Sequence, residues 1–167
     1  MSSQFFLKKK AKDFLILLEK KRLKLSVIES CTGGLFSSIF TSIPGSSKVF
    51  EFGLITYSNN SKNKFSGVPK KILNSFGAVS AEVASLMSKN TYKKMNIKKG
   101  LSISCTGIAG PQGGSEIKPV GTVFISFHFC DRNIIFHKKF FSLKRYEIQL
   151  KTVEFMIHEG IKIISHQ

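Results

Sequence analysis

Ser26-Val27-Ile28-Glu29-Ser30-Cys31-Thr32-Gly33-Gly34-Leu35 is an apolar run that stops in small polar residues and a glycine pair before apolar spacing resumes. It reads as a strand running into a helix. The first N–H groups of a helix have no partner inside it, so at such a junction they point beyond the strand end and favour negative charge there. Ser30 and Cys31 would stand beside that electropositive spot. A nucleophile next to ready oxyanion donors suits acyl transfer, because charge builds on the carbonyl oxygen as the nucleophile attacks.

Outward from this junction, Leu7, Ala11, Phe14, Leu15 and Leu18 recur at helical spacing among lysines, so residues 1–24 are expected to hold a basic amphipathic helix ending near Arg22. Leu25 to Glu29 is a strand. Leu35, Phe36, Ile39 and Phe40 continue as a helix until Pro44-Gly45-Ser46-Ser47 turns the chain. Val49 to Ser58 fits a strand in which Gly53 marks a bulge or a close backbone approach, and it delivers Tyr57 at its far end. Asn59 to Lys62 follows as a turn leading into a short helical segment, which places Lys62 just past a strand end. A brief helix over 70–76 and a longer one capped by Ser80 and running to about Asn96 come next.

Leu101 to Cys105 is a compact strand that exits into the glycine-rich loop Thr106 to Ser115. The exit repeats the first one, Ser104-Cys105-Thr106-Gly107 against Ser30-Cys31-Thr32-Gly33, over too few residues to argue a duplicated unit. Residues 119–129 and 133–141 are β-rich and joined by Cys130-Asp131-Arg132 as an antiparallel hairpin, so the sheet is mixed. Val153, Met156, Ile157, Ile161 and Ile164 form a last amphipathic helix with Lys144, Arg145 and Tyr146 at its entrance. The fold class is α/β with α+β character: a single-domain mixed sheet covered by helices.

Length and composition agree with one core of its own, at 167 residues and 42% hydrophobic. The formal charge of +16 has eight contributors within the first 24 positions, which a solvated helix face explains as well as a polyanion does. The usual aromatic-plus-basic modules are missing, so a nucleic-acid partner is not expected. Three cysteines without a CxxC pair indicate neither a disulfide framework nor a zinc cluster, and a reduced, cytoplasmic setting is expected. No apolar run approaches a membrane span or a signal-peptide core. Neither GxxxxGK[ST] nor GxGxxG occurs in the required context, and the four histidines lack ligand spacing, so no cofactor or metal is expected.

What remains is hydroxyls, one lysine, one tyrosine and glycine loops. Burial would disfavour the Lys62 ammonium and let the amine take the proton of Ser30. Taken residue by residue, a structural account is preferred: Ser30 as a helix cap, Lys62 as a solvated turn residue, Tyr57 as a strand-end aromatic. Between Ser30 and Cys31 the local pattern does not choose a nucleophile, although strand alternation faces the two side chains apart. Backbone N–H groups of Cys31, Thr32, Gly33 and Gly34 are the candidate oxyanion donors.

The runs Glu29-Ser-Cys-Thr-Gly-Gly34, Pro44-Gly-Ser-Ser47, Gly53 to Lys62, Gly67-Val68, Gly77-Ala-Val-Ser80, Cys105-Thr-Gly-Ile-Ala-Gly-Pro111 and Lys118-Pro-Val-Gly-Thr122 resemble, in order, the CinA C-terminal domain family. The resemblance implies a nicotinamide-nucleotide amidohydrolase of the stand-alone form, without the molybdopterin-binding-like domain of longer members. The implied reaction removes ammonia from the carboxamide of nicotinamide mononucleotide, with Ser30 as nucleophile, Lys62 as base and Tyr57 assisting. By the same resemblance the loop holding Thr106, Gly107, Gly110, Gly113, Gly114 and Ser115 grips ribose and phosphate, with Arg145 as phosphate clamp. A pyridine nucleotide is the implied partner and a homo-oligomer the implied assembly, with a role in nucleotide salvage. The segment Lys144-Arg145-Tyr146-Glu147-Ile148-Gln149 departs from the family's pattern, which pairs Asp with Arg and adds an Arg where Gln149 stands. Cys105 stands where valine is commoner. A catalytically silent nucleotide- or nucleic-acid-binding protein on the same fold is the alternative expectation.

Overall fold

The computed structural model describes residues 3–97 and 99–166. Helix α1 (Ser3–Lys20) buries Leu7, Ala11, Phe14, Leu15 and Leu18 and turns its lysines outward, and Arg22 at φ 53° ends the segment. The first two residues of the expected basic helix lie outside the described residues. Strand β1 (Lys24–Glu29) leads through the turn at 30–34 into α2 (Leu35–Thr41), and a 3₁₀ turn, Ser46–Lys48, precedes β2 (Phe50–Ile55). Helices α3 (Asn59–Ser66), α4 (Lys70–Phe76) and α5 (Ala81–Met95) then lead to β3 (Gly100–Gly107), β4 (Thr122–Phe129), β5 (Arg132–Lys139) and the final helix α6 (Arg145–Ser165).

The five strands lie in the order β2-β1-β3-β4-β5, with β1 parallel to β2 and β3, and β4 antiparallel to β3 and β5. The mixed α/β sheet read from the sequence is present, with helices on both faces. Alternation along the strands explains the layering. Leu25 and Val27, Leu101, Ile103 and Cys105, and Val123, Ile125 and Phe127 share one core with α1, α2 and α6. The alternate positions Ser26, Ser102, Ser104 and Ser126 are small and buried, so α5 can lie close on the other face. Ser104 Oγ donates to Ala84 O at 2.6 Å and Ser88 pairs with Ser126 at 2.9 Å, which satisfies hydroxyls that burial would otherwise penalise. A smaller cluster of Ile28, Val68, Leu73, Val83 and Met87 closes that side.

Some element limits differ from the pattern reading, for identifiable reasons. The second strand ends at Ile55 and not Ser58, because the carbonyls of Thr56 and Tyr57 turn inward to accept from Lys62. The third runs on to Gly107, since Cys105, Thr106 and Gly107 pair with Ile125, Phe124 and Val123. The hairpin turn is the two residues Cys130 and Asp131, both at positive φ (49° and 58°), the geometry of a tight hairpin. Gly53 is where α2 comes near, because a Cβ there would meet Ser37 Oγ at 2.5 Å. The register shift falls beside it, where Leu25 pairs with Phe50 and Ser26 with Phe52. Among the described residues no helix is long and apolar enough to cross a membrane.

Candidate active site

The three parallel strands end at one edge of the sheet, with β1 between β2 and β3. Crevices open there because the connections leave the central strand in opposite directions. Ser30 follows the end of β1, Lys62 comes from α3 beyond β2, and the 106–113 loop follows β3. Together with Tyr57, Cys31, Ala78, Val79, Gln112 and Arg145 they line a cleft of about 250 Å³. Other hollows are roomier, among them one of about 440 Å³ under α1 and one of about 590 Å³ beside Tyr92 that contain neither serine nor cysteine, and one of about 330 Å³ lined by Cys130. The lining of the Ser30 cleft carries Lys62 and Arg145 and no carboxylate, so it favours an anionic occupant.

Lys62 is the decisive side chain. Helix α3 begins one residue after its cap, where Ser58 Oγ accepts from Ser61 N at 3.0 Å and Ser61 Oγ accepts from Ser58 N at 3.0 Å, a reciprocal cap that fixes the first turn. The expected solvated turn residue therefore sits inside a helix, facing inward and only 1% exposed. Its Nζ reaches Ser30 Oγ at 2.9 Å, Thr56 O at 2.8 Å and Tyr57 O at 3.5 Å. Burial lowers its pKa from the ordinary lysine value of 10.5. A neutral amine has two N–H donors and one lone pair. In the structure Nζ donates to Ser30 Oγ as well as to the two carbonyls; once deprotonated, it can keep its two N–H groups on the carbonyls and turn its lone pair to the Ser30 hydroxyl.

Cys31 is 4% exposed and lies against Cys105; the thiol pairing and burial raise its pKa well above the thiol range of about 9.0. A thiol held protonated is a poor nucleophile. The Thr32 hydroxyl donates to Glu29 Oε2 at 2.7 Å and so accepts from Cys105 Sγ at 3.1 Å, which ties the two similar strand exits together.

The turn after Ser30 corrects the oxyanion expectation at three of its four positions. Gly33 N donates to Ser30 O at 3.1 Å and Gly34 N to Glu29 Oε2 at 3.1 Å, so these N–H groups are engaged within the turn and neither residue lines the cleft. Thr32 does not line the cleft either, so of the four expected donors Cys31 alone borders it. Glu29, the last residue of β1, was passed over in the pattern reading. Its buried carboxylate also accepts from Phe36 N at 3.1 Å, Ser37 N at 2.9 Å and Ser37 Oγ at 2.6 Å. The protein's own carboxylate thus occupies the N-terminal end of α2.

The glycine loop divides similarly. Thr106, Gly107, Gly110 and Gly113 line the cleft, with the Thr106 hydroxyl donating to Ala78 O at 2.8 Å. Gly114 and Ser115 do not. Gly114 packs against the Val120 backbone, and Ser115 closes a turn in which its N–H donates to Lys118 O at 2.9 Å. Arg145 comes from the start of α6, donating through Nη1 to Gly110 O at 2.7 Å and through Nη2 to the Tyr57 hydroxyl. Tyr57 therefore meets Lys62 through its carbonyl and Arg145 through its phenol. One helical turn after Arg145, Gln149 Nε2 donates to Cys31 O at 2.9 Å. Gln149, singled out in the sequence as the place of a missing Arg, thus meets the nucleophile turn as a neutral donor. Lys144 remains outside the cleft lining and its N–H donates to Glu147 Oε2 at 2.7 Å. Among the described residues no three His, Cys, Asp or Glu side chains gather as a metal-ligand set.

A family model described as the CinA C-terminal domain matches residues 7–163. A "CinA-like protein" of Prochlorococcus marinus subsp. pastoris is 47% identical over 136 residues, covering 81% of this chain and 31% of that protein. Another from Prochlorococcus marinus strain MIT 9515 is 42% identical over 136 residues, 81% of this chain and 31% of that one. The chain thus spans about a third of the length of the curated relatives it matches. Among solved structures, the competence/damage inducible protein CihA of Agrobacterium tumefaciens superposes with a TM-score of 0.89 at 32% identity, covering 97% of this chain and 96% of that one. A CinA superfamily protein of Escherichia coli gives 0.88 at 25% identity, with 94% and 90% covered.

Proposed function

The chain belongs to the CinA C-terminal domain family, and we propose that it hydrolyses the carboxamide of nicotinamide mononucleotide to nicotinate mononucleotide and ammonia. The observation that carries this reading is the buried Lys62 amine 2.9 Å from Ser30 Oγ, in a cleft whose only charged lining residues are cationic. Ser30 Oγ attacks the amide carbon as its proton passes to the Lys62 lone pair. Negative charge on the amide oxygen is met by the N–H group of Cys31, and one such donor is worth about a hundredfold or more in rate. An amide nitrogen leaves only when protonated, so Lys62 returns the proton to it and ammonia departs. Water, deprotonated by the same amine, then attacks the Ser30 ester, and the acid product leaves as Ser30 regains its proton. The phenol of Tyr57 faces Arg145, so the shorter proton route runs directly through Lys62. The phosphate is assigned to Arg145 and to backbone N–H groups of the 106–113 loop, with a guanidinium fork suited to two phosphate oxygens. Gln149 supplies no second cation and instead fixes the carbonyl of Cys31.

Ammonia release from nicotinamide mononucleotide by the native chain and by Ser30→Ala tests the reading. We expect turnover from the first and a loss of at least about a thousandfold in the second. A native chain that releases no ammonia sinks the reaction, and an undiminished Ser30→Ala sinks the nucleophile.

A further inference from the structure

We propose that Glu29 is the positioning residue of the nucleophile turn, holding Ser30 in reacting geometry by fastening its turn to α2. The inference rests on Ser30 being the nucleophile. The Glu29 carboxylate is fully buried, and all its hydrogen bonds come from neutral donors. Two of those donors, Thr32 Oγ1 and Gly34 N, belong to the turn that begins with Ser30. Phe36 N, Ser37 N and Ser37 Oγ belong to the first turn of α2. Gly34, at φ 98°, enters the helix without a side-chain cap of its own, so Glu29 reaches forward to fill that place. A single rigid acceptor on the residue before the nucleophile therefore ties the turn after it to α2.

This arrangement has two consequences. The N-terminal end of α2 is neutralised internally, so it does not draw the substrate's anionic group. The turn is held by Glu29 at Thr32 and Gly34 and by Gln149 at Cys31 O. A displacement of about 1 Å at a reacting group costs on the order of a hundredfold in rate.

The test uses Glu29→Ala, Glu29→Gln and Ser37→Ala in the full chain, with kcat and KM for nicotinamide mononucleotide measured beside the rate at which a fluorophosphonate labels Ser30. In that labelling Ser30 Oγ displaces fluoride from phosphorus, forming an O–P bond while the hydroxyl proton passes to Lys62. Glu29→Ala should slow both kcat and labelling by about a hundredfold with KM within about twofold. Glu29→Gln keeps one carbonyl acceptor for the turn and should recover most of that loss. Ser37→Ala removes a donor on the helix side only and should lower the melting temperature with kcat and labelling within about twofold of native. If Glu29→Ala does not fold, Thr32→Val, which removes the turn-side hydroxyl, should slow labelling about tenfold with KM unchanged. Native labelling rates in Glu29→Ala or Thr32→Val overturn the inference, as does an equal kcat loss in Ser37→Ala or a native chain not labelled at Ser30. A native chain labelled at Ser30 that releases no ammonia refutes the proposed substrate alone and leaves the labelling series to judge Glu29.

Discussion

Lys62→Met separates the base from the scaffold. Methionine nearly matches the lysine stem in length, so it fills the buried slot without a large cavity while removing the amine. Loss of a positioned base costs about 10² to 10⁴ in rate, and with Nζ 2.9 Å from Ser30 Oγ we expect about a thousandfold, or roughly 4 kcal/mol of transition-state stabilisation. The stability change has two opposing parts. Thr56 O loses its donor, worth about 1–3 kcal/mol for a buried acceptor, while the desolvated ammonium is also removed. Their pH dependence distinguishes them. Burial lowers the folded-state pKa of Lys62 below 10.5, so between that pKa and 10.5 the unfolded chain binds more protons than the native one. Native stability contributed by this group therefore rises with pH across that window, by about 1.4 kcal/mol per unit of depression, and its full cost is present below the window. Melting temperatures from neutral pH to about 10 should rise for the native chain relative to Lys62→Met. Over the same range native kcat/KM for nicotinamide mononucleotide should climb as the amine loses its proton, and the variant's residual rate should lack that limb. A variant with more than about a tenth of native kcat, or with the same rising limb, would refute Lys62 as the base.

Arg145→Ala should raise KM for the nucleotide about tenfold to a hundredfold, the worth of one charge-assisted phosphate contact, and leave the phosphate-free riboside little changed; equal effects on both would deny the clamp. Cys31→Ala should retain kcat within about threefold because the native thiol is held protonated against Cys105, and a collapse matching Ser30→Ala would transfer the nucleophile to Cys31. Gly160→Ala places a Cβ 2.6 Å from Phe14 Cζ where α6 crosses α1, so we expect a net loss of about 1–3 kcal/mol and a melting temperature several degrees lower. Helix propensity alone would give a gain of about 1 kcal/mol, so a raised melting temperature excludes the close packing.

The sheet was legible because its polar side is made of serines. Leu25-Ser26-Val27, Leu101-Ser102-Ile103-Ser104-Cys105 and Ile125-Ser126-Phe127 alternate with period two, and each serine meets α5 or lies buried beneath it. Ser30 and its strand exit were legible for a similar local reason, an apolar run that ends in small residues. Lys62 was visible as a residue near a strand end, and the sequence left open whether it is buried or solvated. Its burial follows from α3 being capped at Ser58, starting at Asn59, and turning its fourth residue toward β1. Gly114 and Ser115 looked like cradle residues because loop composition reports flexibility, whereas their contacts with Val120 and Lys118 are made only after the loop folds back.

Glu29 shows where the sequence-level electrostatic argument fell short. Unpaired N–H groups at the start of α2 were expected to face a ligand, since a strand-to-helix exit leaves them without partners. That inference holds only when no acceptor on the chain is nearer. Glu29 is nearer: as the last residue of β1 it precedes the turn, and the turn brings Gly34, Phe36 and Ser37 back over its carboxylate within 2.9–3.1 Å. A strand-end acid followed by five small residues and a helix is therefore better read as an internal cap than as a vacant anion site. The cationic character of the cleft then rests on Lys62 and Arg145, one aimed at the reacting hydroxyl and the other at the mouth. In the proposed reaction the two charges take different duties, proton transfer for the buried amine and anion binding for the guanidinium. A substrate that carries its amide and its phosphate at opposite ends fits that division, and an amide without an anionic end does not use half of it.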